Sequence, residues 1–182
     1  MRRGAVRAII GTIAAVVVAV PLLGQRQRVR RASLIGKIVP TFAWTAMEDS
    51  ASIVSPLSLE GSVVLIDLWG TWCVPCRREM PFLHDAYTKF HSRGFDIVSV
   101  AFDQSPGKVA AYRRQHFPMP WQHVYATTAI ENEATHIFQI DSFPHALLID
   151  RNGTVLRVNG GLRGASLAAT LDSVFAGLSA GR

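Results

Sequence analysis

Residues Val63 to Trp69 read "VVLIDLW", an almost unbroken run of branched and aromatic residues, and a cysteine follows four positions later. A run this apolar fits a central strand covered on both faces, as in sheets built with crossover helices. After the turn "GTWC", Cys76, Met80, Leu83, Tyr87 and Phe90 recur at spacings of three and four, which predicts a helix from Cys73 to about His91. Pro75 falls in its first turn, where a missing N–H is tolerated, and Pro81 in its interior, where a bend is expected. "FDIVSVAF" (95–102) predicts a second buried strand, and Ser105 with Pro106 opens another helix carrying Val109, Tyr112 and His116 on one face. A short strand near Val124 and a helix marked by Ile130, Ala134, Ile137 and Phe138 come next. "HALLID", "RNG" and "TVLRVN" predict a hairpin turning at Asn152-Gly153, and Leu167, Leu171, Val174, Phe175 and Leu178 stripe a closing helix. The order β, α, β, α, β, α, β, β, α defines an α/β fold, a central mixed sheet with helices on both faces.

The charge balance separates the chain into unlike parts. Of the 19 basic groups, eight lie in residues 1–37, which hold no acid; the remainder carries 11 basic against 13 acidic groups. The net charge of +6 therefore belongs to the N-terminal segment, and a basic nucleic-acid face on the folded part loses its support. Residues 8–24, "AIIGTIAAVVVAVPLLG", are uncharged and follow Arg2, Arg3 and Arg7. They fit a transmembrane signal anchor, with a cleaved signal as the alternative, because "LLGQ" offers a poor cleavage site and no cysteine for lipid attachment. The expected organisation is an anchor at 1–24, a basic linker at 25–37 and a folded domain at 38–182. Arg26, Arg28, Arg30 and Arg31 after the apolar run count towards a cytoplasmic domain, whereas a basic start leading into an apolar segment is how export signals begin.

Both cysteines of the chain, Cys73 and Cys76, stand three positions apart at the predicted helix start. Unpaired N–H groups and the helix dipole favour a thiolate there, which makes Cys73 the expected nucleophile. Cys76, one turn on and within disulfide reach, is the expected resolving thiol. Two carboxylates are spaced to take its proton: Asp67 near the end of the strand and Glu79 three residues beyond Cys76. An aspartate buried at that strand end would have a raised pKa. Zinc sites need four ligands, and the six scattered histidines show no matching spacing. The flanking tryptophans, Pro75 and the helix start argue for an exposed helix tip.

"WCVPC" after "DLWGT" resembles the active site of thioredoxin-like proteins. "PTFAW", "VVLIDLWGTWCVPCRREMP", "FPHALLIDRNGTV" and "GGL" together resemble the membrane-tethered TlpA/ResA-type thiol-disulfide oxidoreductases over about residues 38–178. The resemblance implies a thioredoxin-like fold in which Cys73 attacks, Cys76 resolves, Pro81 kinks the helix and the Phe143-Pro144 bond is cis. It implies a substrate groove of Trp72, Val74, Pro75, Phe143 and Pro144, with the Phe143 backbone pairing with an extended segment. Phe143 is bulkier than the threonine or valine common in the family and should narrow that groove. Glu79 matches a glutamate that tunes cysteine acidity in ResA-type members, and Asp67 matches the buried aspartate of thioredoxins, so either could dominate. The implied activity is dithiol/disulfide exchange with protein substrates, needing no cofactor or metal beyond the Cys73-Cys76 disulfide. The expected setting is a periplasmic domain on the inner membrane, or a secreted periplasmic form if the signal is cleaved. There it would act as a reductant fed by a membrane electron donor, with cytochrome c or copper-site cysteines as targets. The rival readings are a copper- or zinc-carrying assembly factor using Cys73, Cys76 and His84 or His145, and a peroxide-reducing thiol enzyme.

Overall fold

The computed structural model describes residues 33–180. The expected anchor at 8–24 and most of the linker at 25–37 lie outside the described residues, among which no helix is long and apolar enough to cross a membrane. In chain order the elements are strands β1 (Trp44–Thr45), β2 (Ile53–Val54) and β3 (Val63–Trp69), helix α1 (Val74–Phe90), strand β4 (Phe95–Ala101) and helix α2 (Pro106–Gln115). Then follow β5 (Gln122–Tyr125), α3 (Thr128–Ile137), the hairpin β6 (His145–Ile149) and β7 (Val155–Val158), and α4 (Ala165–Ala180).

Five strands form the main sheet in the order β5-β4-β3-β6-β7, with β3, β4 and β5 parallel and β6 and β7 antiparallel to their neighbours. This is the mixed sheet expected of crossovers followed by a hairpin. β3 is its centre, and every residue of it is buried, which explains the unbroken apolar run. Alternation along a strand sends successive side chains to opposite faces. Val63, Leu65 and Trp69 pack into a cluster with α1, α2 and α4, including Leu83, Val109, Leu171 and Phe175. Val64, Ile66 and Leu68 face a second cluster containing Phe42, Trp44, Ala134 and Phe138. Asp67 shares parity with Leu65 and Trp69, so it lies on the face that α1 covers.

The helix starts carry local reasons. Cys73, Ser105 and Thr127 stand at the N-caps of α1, α2 and α3, each side chain accepting a backbone N–H three residues on. Pro75 occupies the first turn of α1 and Pro81 its interior. The turn at 150–154 is longer than Asn152-Gly153 alone signals: Asp150 Oδ1 accepts from the N–H groups of Asn152 and Thr154, and Gly153 adopts φ 78°.

The small β1-β2 pair has no counterpart in the expected element order, since strands of two residues carry no readable period. The segment around it runs along both edges of the main sheet. Gly36, Lys37 and Val39 exchange backbone hydrogen bonds with Gly153 and Val155 beside β7, while Ala46 bridges Val124 and Met47 N–H donates to His123 O beside β5.

Phe90 ties α1 to β4 and α4: it is wholly buried, with its ring centroid 6.4 Å from Phe95 and 5.8 Å from Phe175. Phe90→Ala is expected to cost about 3–5 kcal/mol in urea unfolding of the oxidised protein, and a loss below about 1 kcal/mol would contradict this packing.

Candidate active site

The end of β3 and the start of α1 build the site. Gly70 turns the chain where no side chain fits: a Cβ there would meet Phe102 O at 2.7 Å and Trp72 Nε1 at 2.5 Å. Asp103 then fixes the next residue, its carboxylate accepting from Thr71 N–H (2.6 Å) and Thr71 Oγ1 (2.7 Å), while Trp72 Nε1 donates to Phe102 O (2.7 Å). These bonds deliver Cys73 to the N-cap of a 17-residue helix. There its Sγ accepts the Cys76 N–H at 3.2 Å, and the two cysteines form a disulfide with S–S 2.02 Å and Cα–Cα 5.2 Å. The same N–H and the helix dipole would stabilise a Cys73 thiolate after reduction.

The helix tip is exposed, but its sulfur-bearing residues are not. Trp72 is 58% and Val74 45% exposed, and Pro75 is exposed, whereas Cys73 is 3% and Cys76 1% exposed. The sequence expectation of an exposed tip thus holds for the flanking residues only, because Cys73 and Cys76 join the apolar cluster beneath α1. Across the cleft, the Phe143-Pro144 bond is cis. The Phe143 ring meets Trp72 edge-on at 5.5 Å and Phe102 at 5.0 Å, so its bulk packs onto the cysteine loop. The Phe143 backbone N–H and C=O have no hydrogen-bond partner among the described residues.

The two carboxylates lie in different settings. Asp67 is 5% exposed; Ser99 Oγ donates to its Oδ2 at 3.3 Å and accepts from Trp121 Nε1 at 2.9 Å. Burial raises its pKa to about 7, and the Glu79 charge adds to that rise, while Ser99 and Arg163 oppose it. Glu79 is half-buried, and its Oε2 accepts the Gly164 N–H at 2.7 Å instead of pairing with a neighbouring arginine. A carboxyl ionising near neutral pH on the sheet face that α1 covers is chemically suited to exchange a proton with a thiol of that helix.

Arg163 and Asn159 are not legible as site residues, since Asn159 reads as the end of a strand and both lie far from the cysteine motif. Arg163 Nη2 donates to the Pro144 carbonyl and to Asn159 Oδ1 (3.0 Å), and that oxygen also accepts the Ala146 N–H (2.9 Å). Asn159 Nδ2 faces His145 Nδ1 at 3.2 Å, and burial lowers the His145 pKa. His84 is half-buried on α1. Among the described residues no three His, Cys, Asp or Glu side chains converge to hold a metal.

Known proteins resemble this chain in sequence and fold. The family model described as thioredoxin-like matches residues 61–155. The chain is 30% identical over 127 residues, 67% of each chain, to the thiol-disulfide oxidoreductase ResA of Bacillus cereus. It is 28% identical to ResA of Oceanobacillus iheyensis over 143 residues, 76% of this chain and 68% of that one. Among solved structures, the thioredoxin domain of a thiol-disulfide oxidoreductase from Bacteroides vulgatus aligns with TM-score 0.70 and 26% identity, covering 78% of this chain and 97% of that one. With a CxxC disulfide capping the helix after the central strand, the chain belongs to the thioredoxin-like family of ResA-type thiol-disulfide oxidoreductases.

The Asp67 carboxyl gives this site a pH signature. Its folded pKa of about 7 lies above the ordinary 3.8, so the folded state binds the proton more tightly. Stability is therefore lost as pH rises from about 4 to about 7, by about 4 kcal/mol in all. Urea titrations of the oxidised wild type and Asp67→Asn are expected to diverge by that amount between pH 4 and pH 8, with the variant gaining relative stability. Parallel curves would refute an ionisable Asp67 in this setting.

Proposed function

We propose that the protein is a periplasmic reductant of protein disulfides, held at the inner membrane through residues 8–24 and supplied with electrons by a membrane donor. The observation that carries the direction of attack is the Cys73 sulfur at the α1 N-cap, where it accepts the Cys76 N–H. In the reduced protein the Cys73 thiolate attacks one sulfur of a substrate disulfide, forming a mixed disulfide and releasing one substrate thiolate. Asp67 takes the proton from Cys76, whose thiolate then attacks Cys73 Sγ. The second substrate thiolate leaves, two electrons have passed to the substrate, and the Cys73-Cys76 disulfide remains. The donor restores the dithiol with two electrons and two protons.

Glu79 acts as the partner of Asp67 in this scheme: its charge raises the Asp67 pKa and keeps that group ready to accept a proton near neutral pH. Trp72, Val74 and Pro75 form one wall of the substrate groove and Phe143-Pro144 the other, with the unpaired Phe143 backbone available to an extended polypeptide. Pro75 and the two carboxylates favour reduction over oxidation. The cysteines of apocytochromes c or of copper sites are the substrate class this reading favours. Neither the metal-carrier nor the peroxide reading has an observation of this structure in its favour.

Three measurements test this reading. The Cys73/Cys76 reduction potential is expected near that of thioredoxin, about −270 mV, and a value near the strongly oxidising end, about −120 mV, would reverse the direction. Cys76→Ser is expected to accumulate mixed disulfides through Cys73 in cells; capture of none would remove the exchange mechanism. A reporter active only in the periplasm, fused after Arg182, is expected to be active, and an inactive fusion would overturn the location.

A further inference from the structure

Residues 163 and 164 reach the Phe143-Pro144 turn and Glu79 of the cysteine helix from one turn. We propose that Arg163 is a positioning residue for polypeptide substrates: it holds the Phe143-Pro144 turn through the Pro144 carbonyl and Asn159, while the adjoining Gly164 N–H holds Glu79 on the cysteine helix. Pro144 has no N–H, so its carbonyl is the one backbone group by which this residue can be tied down. A guanidinium supplies that tie and at the same time fixes the side chain that braces the next strand.

Asn159 is shaped for its part in the clamp. It sits in the left-handed region at φ 55°, which asparagine tolerates better than most residues, and there its Oδ1 serves both the Ala146 N–H and Arg163. Its own N–H donates to Ala146 O, so the start of β6 is held by main chain and side chain together. His145 between them is buried and contacts Asn159 through Nδ1. The result is a hydrogen-bonded path from Pro144 through Asn159 and Arg163 to the turn before α4, and onward from Gly164 to Glu79.

Such a clamp matters unequally for different disulfides. A small disulfide needs only access to Cys73 sulfur, whereas a polypeptide also needs the Phe143 backbone fixed where it can pair. Loss of the clamp therefore penalises binding of polypeptides selectively, whereas loss of the Arg163 charge that acts on Asp67 falls on both kinds of disulfide alike. The inference rests on thiol–disulfide exchange with polypeptides and is independent of the direction of electron flow.

The test compares wild type, Arg163→Ala, Arg163→Lys and Asn159→Gly on a ten-residue cystine peptide and on hydroxyethyl disulfide. Glycine keeps the left-handed backbone of Asn159 while removing the side chain. Asn159→Gly is expected to raise KM for the peptide on the order of tenfold, with kcat and turnover of the small disulfide within about twofold; Arg163→Ala, which also removes a charge acting on Asp67, is expected to raise the peptide KM about tenfold beyond any change it makes on the small disulfide. Arg163→Lys, which keeps the charge but lacks the planar fork, is expected to keep most of the defect. Equal losses on both substrates, or none on either, would overturn the clamp while leaving exchange intact. Full rescue by lysine would also overturn it, as charge alone would then suffice. Amide hydrogen exchange supplies a readout without turnover: the Ala146 N–H is expected to exchange about tenfold faster in Asn159→Gly and Arg163→Ala, and unchanged protection would overturn the proposal. Wild type inactive on both disulfides would instead refute the exchange mechanism.

Discussion

The chemistry of this protein depends on the meeting of two backbone ends, the carboxyl end of β3 and the amino end of α1. A buried parallel strand delivers the chain to the sheet rim, and the helix that returns over it points its unpaired N–H groups at the first residue of the turn. Placing a cysteine there makes the sulfur the cap of the helix, which is why Cys73 and Cys76 are chemically unequal despite being one turn apart. The hydrogen bonds of Thr71 and Trp72 to the segment after β4 hold that turn from outside the motif. Their contribution is to the placement of sulfur rather than to its reactivity.

The sheet face beneath α1 is otherwise a hydrocarbon core, and a carboxyl group is expensive in it. Ser99 opposite Asp67 in the register offers a hydroxyl, and Trp121 fixes its orientation, because an indole N–H can only donate and so takes a lone pair on Ser99 Oγ. The serine hydrogen remains for Asp67. Two bonds thus retain in the core a group that burial would otherwise favour replacing, at a standing cost in stability at neutral pH. The half-buried Glu79 sits at a different junction, between α1 and the turn before α4, which lets one helix couple the cysteine pair to the far wall of the cleft.

Most of the architecture could be read from residue periods. The β3 run, the α1 spacing and the β6-β7 turn all emerged with boundaries within a few residues, because each buries a face large enough to impose its period. Asp67 was readable as an anomaly, one charge in an apolar strand, whereas its place on the face that the cysteine helix covers emerged only from the structure. What escaped were groups whose role depends on tertiary approach. Arg163 lies 90 residues from Cys73, and Asn159 looks like an ordinary strand-end residue; nothing local marks either as touching the Pro144 turn. The burial of Cys73 escaped for a similar reason, since residues distant in sequence join the apolar cluster around it.

The segment from Gly36 to Met47 contributes little regular structure, yet its backbone occupies the outer side of β7 at one end and of β5 at the other. Open sheet edges are places where foreign strands can add. For a protein whose partners are other polypeptides, exposed edges would recruit them indiscriminately and far from the sulfur. Among the described residues both edges are already paired in part, whereas the backbone of Phe143, beside the cysteines, is not. Among the described residues the strap thereby covers backbone at the sheet edges and leaves that of Phe143, across from Trp72, uncovered.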